Sequence, residues 1–256
     1  MREKQNKQPK LLQQYHLRPS KRLGQNFLID QKVLHKIIGV SDLSENDIVI
    51  EVGPGLGILT IELARRIKKV IAVEKDKNLI KALKQILAEN KIENVEIIQG
   101  DILKLIPNNQ FRIQKKYPKI NPQKLDIETW DFFRNSGLGV GHYKVVANIP
   151  YYLTSPLIRK FLELKNSPQA IILMIQKEVA QRICARPPRM SLLSVAVQFY
   201  AEPKIISYVS KKSFWPQPKV DSAIIKMTPR NVAGCHPEFI SGSRAIPTLS
   251  FLSPRG

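Results

Sequence analysis

Short apolar runs separated by amphipathic stretches set the rhythm of this chain from residue 48 onward. Ile48-Val49-Ile50-Glu51-Val52 reads as a buried strand, Val70-Ile71-Ala72-Val73-Glu74 as a second, and Val95-Glu96-Ile97-Ile98 as a third. Between them, residues 57–67 predict a helix with Ile58, Ile61, Leu63, Ala64 and Ile67 broadly on one side, and residues 77–89 predict another. Strand and helix alternating at this pitch imply right-handed βαβ units and a parallel sheet. The pattern resumes later with a fourth strand over 144–148, a helix near 155–164, a fifth strand over 170–175 and helices over 177–184 and 191–200. Residues 204–209 and 222–227 predict a terminal antiparallel hairpin around the loop Phe214-Trp215-Pro216-Gln217-Pro218. The fold class expected is α/β, a mostly parallel sheet closed by an antiparallel pair.

Three stretches fall outside this rhythm. Residues 1–20 read as a flexible basic arm, followed by the loop KRLGQNFLID and a helix near 30–40. Residues 106–143 are polar, basic and aromatic with three prolines; they predict an inserted loop with a short helix near Ile127–Phe133. Residues 231–256 carry no helical stripe and read as an unstructured tail. The organising unit is therefore one domain over 21–230.

Charge adds a partner to this picture. Across 256 residues, 41 Lys and Arg stand against 21 Asp and Glu, a formal charge of +20. The excess favours a polyanion, nucleic acid before acidic membrane. It clusters: residues 1–24 hold seven basic residues, 111–124 hold five and 203–230 hold six. No run approaches the roughly 18 apolar residues of a membrane span, and the basic N-terminus lacks an apolar signal core. Cys184 and Cys235 give no metal or disulfide spacing, so no metal is expected. A cytoplasmic monomer is the expectation.

Candidate chemistry sits at the ends of the strands. Gly53-Pro54-Gly55-Leu56-Gly57 joins the first strand to a helix. Glycines there let the backbone approach a ligand and take positive φ. The dinucleotide fingerprint would require glycine where Ile58 stands, so a ligand without a pyrophosphate suits the turn better. Glu74 ends the second strand, 21 residues after Gly53, placed to accept from both hydroxyls of a ribose. Asp101 ends the third, placed to accept from the amino group of an adenine whose edge meets the Ile102 backbone. The bland alternatives are a strand-end acid in solvent for Glu74 and a helix N-cap for Asp101.

The loop Asn148-Ile149-Pro150-Tyr151 ends the fourth strand. Its Asn side-chain oxygen and the Ile149 carbonyl are two acceptors able to hold the two hydrogens of a planar exocyclic amine. Pro150 stiffens the loop, and Tyr151 offers a face on which a base can stack. Phe214 is the candidate cover for the other face of that base, the alternative being a packed loop aromatic. Together these features point to methyl transfer from S-adenosylmethionine to a base amine. A base inside a helix is unreachable, so the target would be single-stranded or flipped out.

These residues, taken in order, resemble the KsgA-type small-subunit ribosomal RNA adenine dimethyltransferases. KRLGQNFLID, EVGPGLGILT, the Val73-Glu74-Lys75-Asp76 and Gly100-Asp101-Ile102 segments, and NIPYYLTSPLI are similar to the family's successive motifs. So are Ile175-Gln176-Lys177-Glu178-Val179-Ala180-Gln181-Arg182 and the Phe214–Ala223 stretch. The resemblance runs from about Lys21 to Arg230. It implies a seven-stranded, Rossmann-like class I S-adenosylmethionine-dependent methyltransferase core. The implied activity is N6,N6-dimethylation of two adjacent adenines in the 3′-terminal hairpin of small-subunit rRNA, with the small subunit as partner during ribosome biogenesis. Carried over by motif position, the cofactor contacts are Asn26, Leu28, Gly53, Glu74, Asp101 and Asn148. Asn26 and Leu28 come from the resemblance alone.

The sequence departs from the family pattern in the long 106–143 segment and in residues 231–256, which stand where the family carries a helical C-terminal domain. Two other readings follow. One is an rRNA-binding assembly factor without productive turnover, and the other a large-subunit rRNA adenine methyltransferase. KRLGQNFLID and the Phe-Trp-Pro-Gln-Pro loop favour the small-subunit reading.

Overall fold

The computed structural model describes residues 9–106, 143–164 and 166–230. The expected inserted loop, its short helix and the tail lie outside the described residues, as do residues 1–8 of the expected arm. Seven strands form one sheet: β2 (Ile48–Val52), β3 (Lys69–Glu74), β4 (Val95–Gln99), β5 (Tyr143–Asn148), β6 (Ala170–Gln176), β7 (Ala201–Val209) and β9 (Ser222–Pro229). Their order is β4-β3-β2-β5-β6-β9-β7. The first five are parallel, whereas β9 runs antiparallel to both β6 and β7. A separate two-stranded sheet pairs β1 (Phe27–Leu28) with β8 (Phe214–Trp215).

The central strands are covered on both faces. Val49, Ile50, Val52, Val70, Ile71, Ala72 and Val73 are all at most 2% exposed, as both faces of a parallel sheet must be. One face packs Ile50, Val52, Val145 and Leu173 against α6 (Thr154–Leu162) and α7 (Lys177–Ile183). The other packs Val49, Val70, Val146 and Ile172 against α2 (Gln31–Val40) and α3 (Ile58–Ala64). The remaining helices are α1 (Lys10–Gln14), α4 (Lys77–Glu89), α5 (Ile102–Leu105) and α8 (Leu192–Tyr200). Lys144 lies within this buried region because its ammonium pairs with Asp47 at 2.9 Å and donates to the Asp42 carbonyl.

Two expectations are corrected. Part of the expected free arm is structured: Lys10–Gln14 is helical, and Leu12 is fully buried in a cluster with Phe27, Leu56, Leu79 and Ile86. One turn of helix is too short to show a period, so only Leu11-Leu12 marked it. The first crossover helix ends at Ala64 and buries Leu59, Thr60, Leu63 and Ala64, leaving Ile58 and Ile61 at its margin. Its start is set by Gly57, whose φ of +79° turns the chain into the helix.

Candidate active site

The sheet order reverses between β2 and β5, since the chain moves outward to β3 and β4 and then returns to the other side of β2. Loops leaving the carboxyl ends of such neighbouring strands diverge and open a crevice. A pocket lies there. Its walls come from the Leu23–Leu28 loop, the glycine turn, Glu74, Asp101, Asn148 and Phe214.

The floor is the glycine turn. Gly53 and Gly55 have φ of +68° and +59°, a region that L side chains rarely adopt. A Cβ on Gly55 would also stand 3.2 Å from the Phe27 ring. Glu74, only 7% exposed, locks the turn from beneath. Its Oε2 accepts from the Gly55 amide at 3.3 Å, and its Oε1 from the amides of Lys75 and Asp76 at 2.8 and 2.9 Å. Burial raises the Glu74 carboxyl above its ordinary range, with those three amides only partly offsetting it. A carboxylate offers about four lone-pair sites, so capacity remains for a ribose hydroxyl.

Asp101 performs the capping role that its position also allowed. Its Oδ1 accepts from the Leu103 amide at 3.1 Å and its Oδ2 from the Lys75 ammonium at 3.0 Å. Burial pushes its pKa up, but Lys75 and the Leu103 amide outweigh that and hold it below the usual range. Ile102, 3% exposed, forms an apolar wall beside it, a surface suited to a flat ring.

Glu51 is a site residue that strand periodicity concealed. It is 1% exposed, it lines the pocket, and its Oε2 has no hydrogen-bond partner. Burial pushes its pKa up to about 8; the neighbouring Thr60 hydroxyl tempers the rise and the Glu74 carboxyl adds to it. A buried polar atom without a partner costs about 1–3 kcal/mol, and the Thr60 hydroxyl is unpartnered as well, so the Glu51 carboxyl has room for a polar ligand group. The signal was present in the sequence as the single ionisable residue inside an otherwise apolar strand.

The target side of the crevice is built by the Asn148 loop. The Asn148 Nδ2 donates to the Asn26 carbonyl at 3.2 Å, and Asn26 in turn donates its Nδ2 to the Gly24 carbonyl at 3.2 Å. Asn26 and Asn148, 122 residues apart, are thus brought together, and Leu28 lines the same pocket. With its amide nitrogen engaged, the Asn148 Oδ1 has no protein partner among the described residues. The Tyr151 hydroxyl shares a 2.8 Å hydrogen bond with Ser222 Oγ; burial raises its pKa and Ser222 tempers that, so the phenol stays neutral. Phe214 lines the pocket but is 1% exposed, packed into the core under the β1–β8 pair. Its face is therefore not open to a base in this conformation, and the packed-aromatic reading describes it. Tyr152, 56% exposed and also on the pocket wall, was not singled out from the sequence.

The donor and acceptor set suits an adenosyl ligand. Glu74 keeps capacity to accept from one hydroxyl, Asp101 and Ile102 offer a polar and an apolar edge, and Glu51 presents an unpartnered carboxyl oxygen. Among the described residues no His, Cys, Asp and Glu cluster could hold a metal, and no helix is long and apolar enough to cross a membrane.

Comparison with known proteins bears on the fold and the family. The Ribosomal RNA adenine dimethylase family profile matches residues 17–235. Ribosomal RNA small subunit methyltransferase A of Alkaliphilus oremlandii is 43% identical over 223 residues, covering 86% of this chain and 69% of that protein. Curated relatives are matched over about two thirds of their length, 65% in Dehalococcoides mccartyi. A Plasmodium falciparum dimethyladenosine transferase superposes with a TM-score of 0.62 at 30% identity, over 80% of this chain and 63% of that one. The 23S rRNA methyltransferase ErmE superposes equally well, with a TM-score of 0.62 at 28% identity over 80% of this chain and 70% of that one. On its motifs, its seven-stranded class I methyltransferase fold and these matches, the chain belongs to the ribosomal RNA adenine dimethylase family.

Proposed function

We propose that the chain transfers methyl groups from S-adenosylmethionine to N6 of two adjacent adenines in the 3′-terminal hairpin of small-subunit rRNA. The observation that carries this reading is the Asn148 carboxamide: its nitrogen is tied to the Asn26 carbonyl, leaving its oxygen as an oriented acceptor at the pocket. S-adenosylmethionine, when bound, supplies an electrophilic methyl group on a sulfonium. Glu74 would accept from a ribose hydroxyl, Asp101 and Ile102 would meet the adenine edge, and Glu51 would hold the ammonium of the methionine part. Asn148 Oδ1 and the Ile149 carbonyl accept the two N6 hydrogens of the target, turning the nitrogen toward the methyl group.

No ionised side chain is required to start the reaction. The target amine is neutral, S-adenosylmethionine would supply the methyl group from a good leaving group, and the methylated nitrogen would then lose its proton to water. What the residues contribute is orientation, which is worth several kcal/mol where the bound geometry approaches that of attack. Tyr151 stacks on the extruded base, at about 1–3 kcal/mol per base.

The test is incubation with labelled S-adenosylmethionine and small subunits lacking the modification, followed by nucleoside analysis. Labelled N6,N6-dimethyladenosine is expected. Binding without label would instead favour a non-catalytic assembly factor. The equal structural similarity to ErmE makes a large-subunit adenine the second reading, and the same assay on large-subunit rRNA decides between them.

A further inference from the structure

The Leu23–Leu28 loop lies between the two sides of the crevice, and one of its side chains reaches the cofactor side. Gln25 Nε2 donates to Asp76 Oδ2 at 3.0 Å, and Gln25 Oε1 accepts from the Ser20 amide at 2.7 Å. Asp76 is itself anchored there. Its amide donates to Glu74 Oε1 at 2.9 Å, and its Oδ1 accepts from the Asn78 amide at 2.9 Å where α4 begins.

The neighbours of Gln25 meet the target side. The Asn26 carbonyl accepts from Asn148 Nδ2 at 3.2 Å. Gly24 packs against the same loop, since a Cβ there would stand 3.6 Å from Pro150 Cβ and from the Tyr152 ring. A continuous path of three hydrogen bonds and one peptide link therefore runs from Glu74 through Asp76, Gln25 and Asn26 to Asn148. The side chain at its centre has a demanding part. The Asp76 carboxylate requires a donor and the Ser20 amide an acceptor, so a Glu, Lys or Met side chain could satisfy at most one of them. Asn would be one methylene short of Gln.

We infer that Gln25 is a positioning residue for methyl transfer: by holding its loop on Asp76 it sets the place of the Asn26 carbonyl and, through that carbonyl, the direction in which the Asn148 oxygen points. Released from Asp76, the loop would carry the Asn26 carbonyl with it, and Asn148 would follow. Displacing a reacting group by about 1 Å can cost about 10²-fold in rate. The path also joins the acid proposed for the ribose to the carboxamide proposed for the target, so it holds the two halves of the site at one spacing. The inference rests on the adenine-methylating reading above for what Asn148 does, but not for how Asn148 is held.

The experiment uses the full chain and has two readouts. The first is the single-turnover rate of methyl transfer to rRNA at saturating cofactor and RNA, which removes effects on cofactor affinity. Gln25→Ala and Gln25→Glu are expected to lower it about 10- to 100-fold. Combining Gln25→Glu with Asp76→Asn is expected to restore the rate, because the donor and acceptor are exchanged and the net charge is unchanged. Asparagine at position 76 also keeps the helix cap. In an Asn148→Ala background, Gln25→Ala should lose nothing further, since it acts through the group already removed. A Gln25→Ala rate equal to that of the unmodified protein overturns the inference. So does a loss that simply adds to that of Asn148→Ala, or an exchanged pair no faster than Gln25→Glu alone; either would mean that Gln25 serves only the stability of its loop. The second readout is the side-chain amide signal of Asn148 in the nuclear magnetic resonance spectrum of protein carrying isotope-labelled asparagine, identified by its absence in Asn148→Ala. In Gln25→Ala it should shift and exchange faster with water, and an unmoved signal overturns the inference. Absence of methyl transfer by the unmodified protein would overturn the functional reading instead, and the amide signal would still decide how Asn148 is held.

Discussion

The Asn148 side-chain amide donates to the backbone carbonyl of Asn26 at 3.2 Å, joining the end of β5 to the loop before β1. This contact decides which end of the carboxamide faces the target, because only the nitrogen can donate to a carbonyl. Asn148→Ala is expected to lower methyl transfer by about 10²-fold or more, the scale of removing one oriented polar contact at a reacting centre. Asn148→Asp should be as damaging, since an oxygen would then oppose the Asn26 carbonyl. Single-turnover rates and cofactor calorimetry check this: turnover near that of the unmodified protein in either variant contradicts the assigned role.

Glu74→Ala should weaken S-adenosylmethionine binding by about 1–3 kcal/mol, the cost of an unmade hydrogen-bonding site. The same substitution releases the Gly55, Lys75 and Asp76 amides, so melting temperature should fall as well. Calorimetry with unchanged affinity would remove Glu74 from the ribose.

Glu51 links cofactor binding to protons. Its pKa of about 8 keeps it largely protonated at neutral pH in the free protein. An ammonium placed beside it favours the ionised form, so binding at pH 6–7 should release up to one proton, seen as a binding enthalpy that depends on the buffer. Glu51→Gln should abolish that dependence. The sign for stability is the reverse of the usual carboxylate. The folded pKa is raised, so the folded protein binds more protons than the unfolded chain between the ordinary value of 4.5 and about 8. Stability of the free protein therefore falls as pH rises through that window. Glu51→Gln should flatten this slope in denaturant titrations.

Gly57→Ala should destabilise by about 2 kcal/mol or more, combining a left-handed backbone with overpacking. A Cβ there would lie 2.5 Å from Leu83 Cδ1. The double variant with Leu83→Ala removes the collision but keeps the backbone strain. Urea melts should therefore show Gly57→Ala costing less in the Leu83→Ala background than alone; equal costs in both would rule out the collision.

Binding to rRNA should weaken steeply with salt, given the formal charge of +20. A slope of log affinity against log salt of about −2 or steeper is expected for several phosphate contacts. A flat plot would remove the electrostatic share of recognition.

What the sequence made legible followed from burial. β2, β3 and β6 are covered on both faces and so read as apolar runs, that of β2 interrupted by Glu51. β7 was read three residues short because Ala201-Glu202-Pro203 resembles a loop; its place at the sheet edge is what tolerates the proline. Glu74, Asp101 and Asn148 were legible as polar residues at strand ends. Glu51 was not, because it occupies a strand interior and its meaning depends on which residues surround it. Asn26 acts through a backbone carbonyl, which any residue could present, so spacing could not single it out. Phe214 could be read either as a cover for the base or as a packed aromatic; its pairing with Leu28 and the burial that accompanies it, which decide for packing, depend on a partner from the other end of the domain.

That pairing of Phe27 with Trp215 and Leu28 with Phe214 has a consequence for the order in which the site comes into being. The glycine turn and the strand-end acids leave the ribosome early in synthesis, and the parallel strands that carry them can associate as they emerge. The covering strand cannot: β1 must wait for β8, one of the last elements of the domain to be made. A nascent chain halted before residue 213 would carry a floor open to water and no enclosed site. Capture of the cofactor in the finished geometry therefore marks the moment at which the first and last parts of the domain have met.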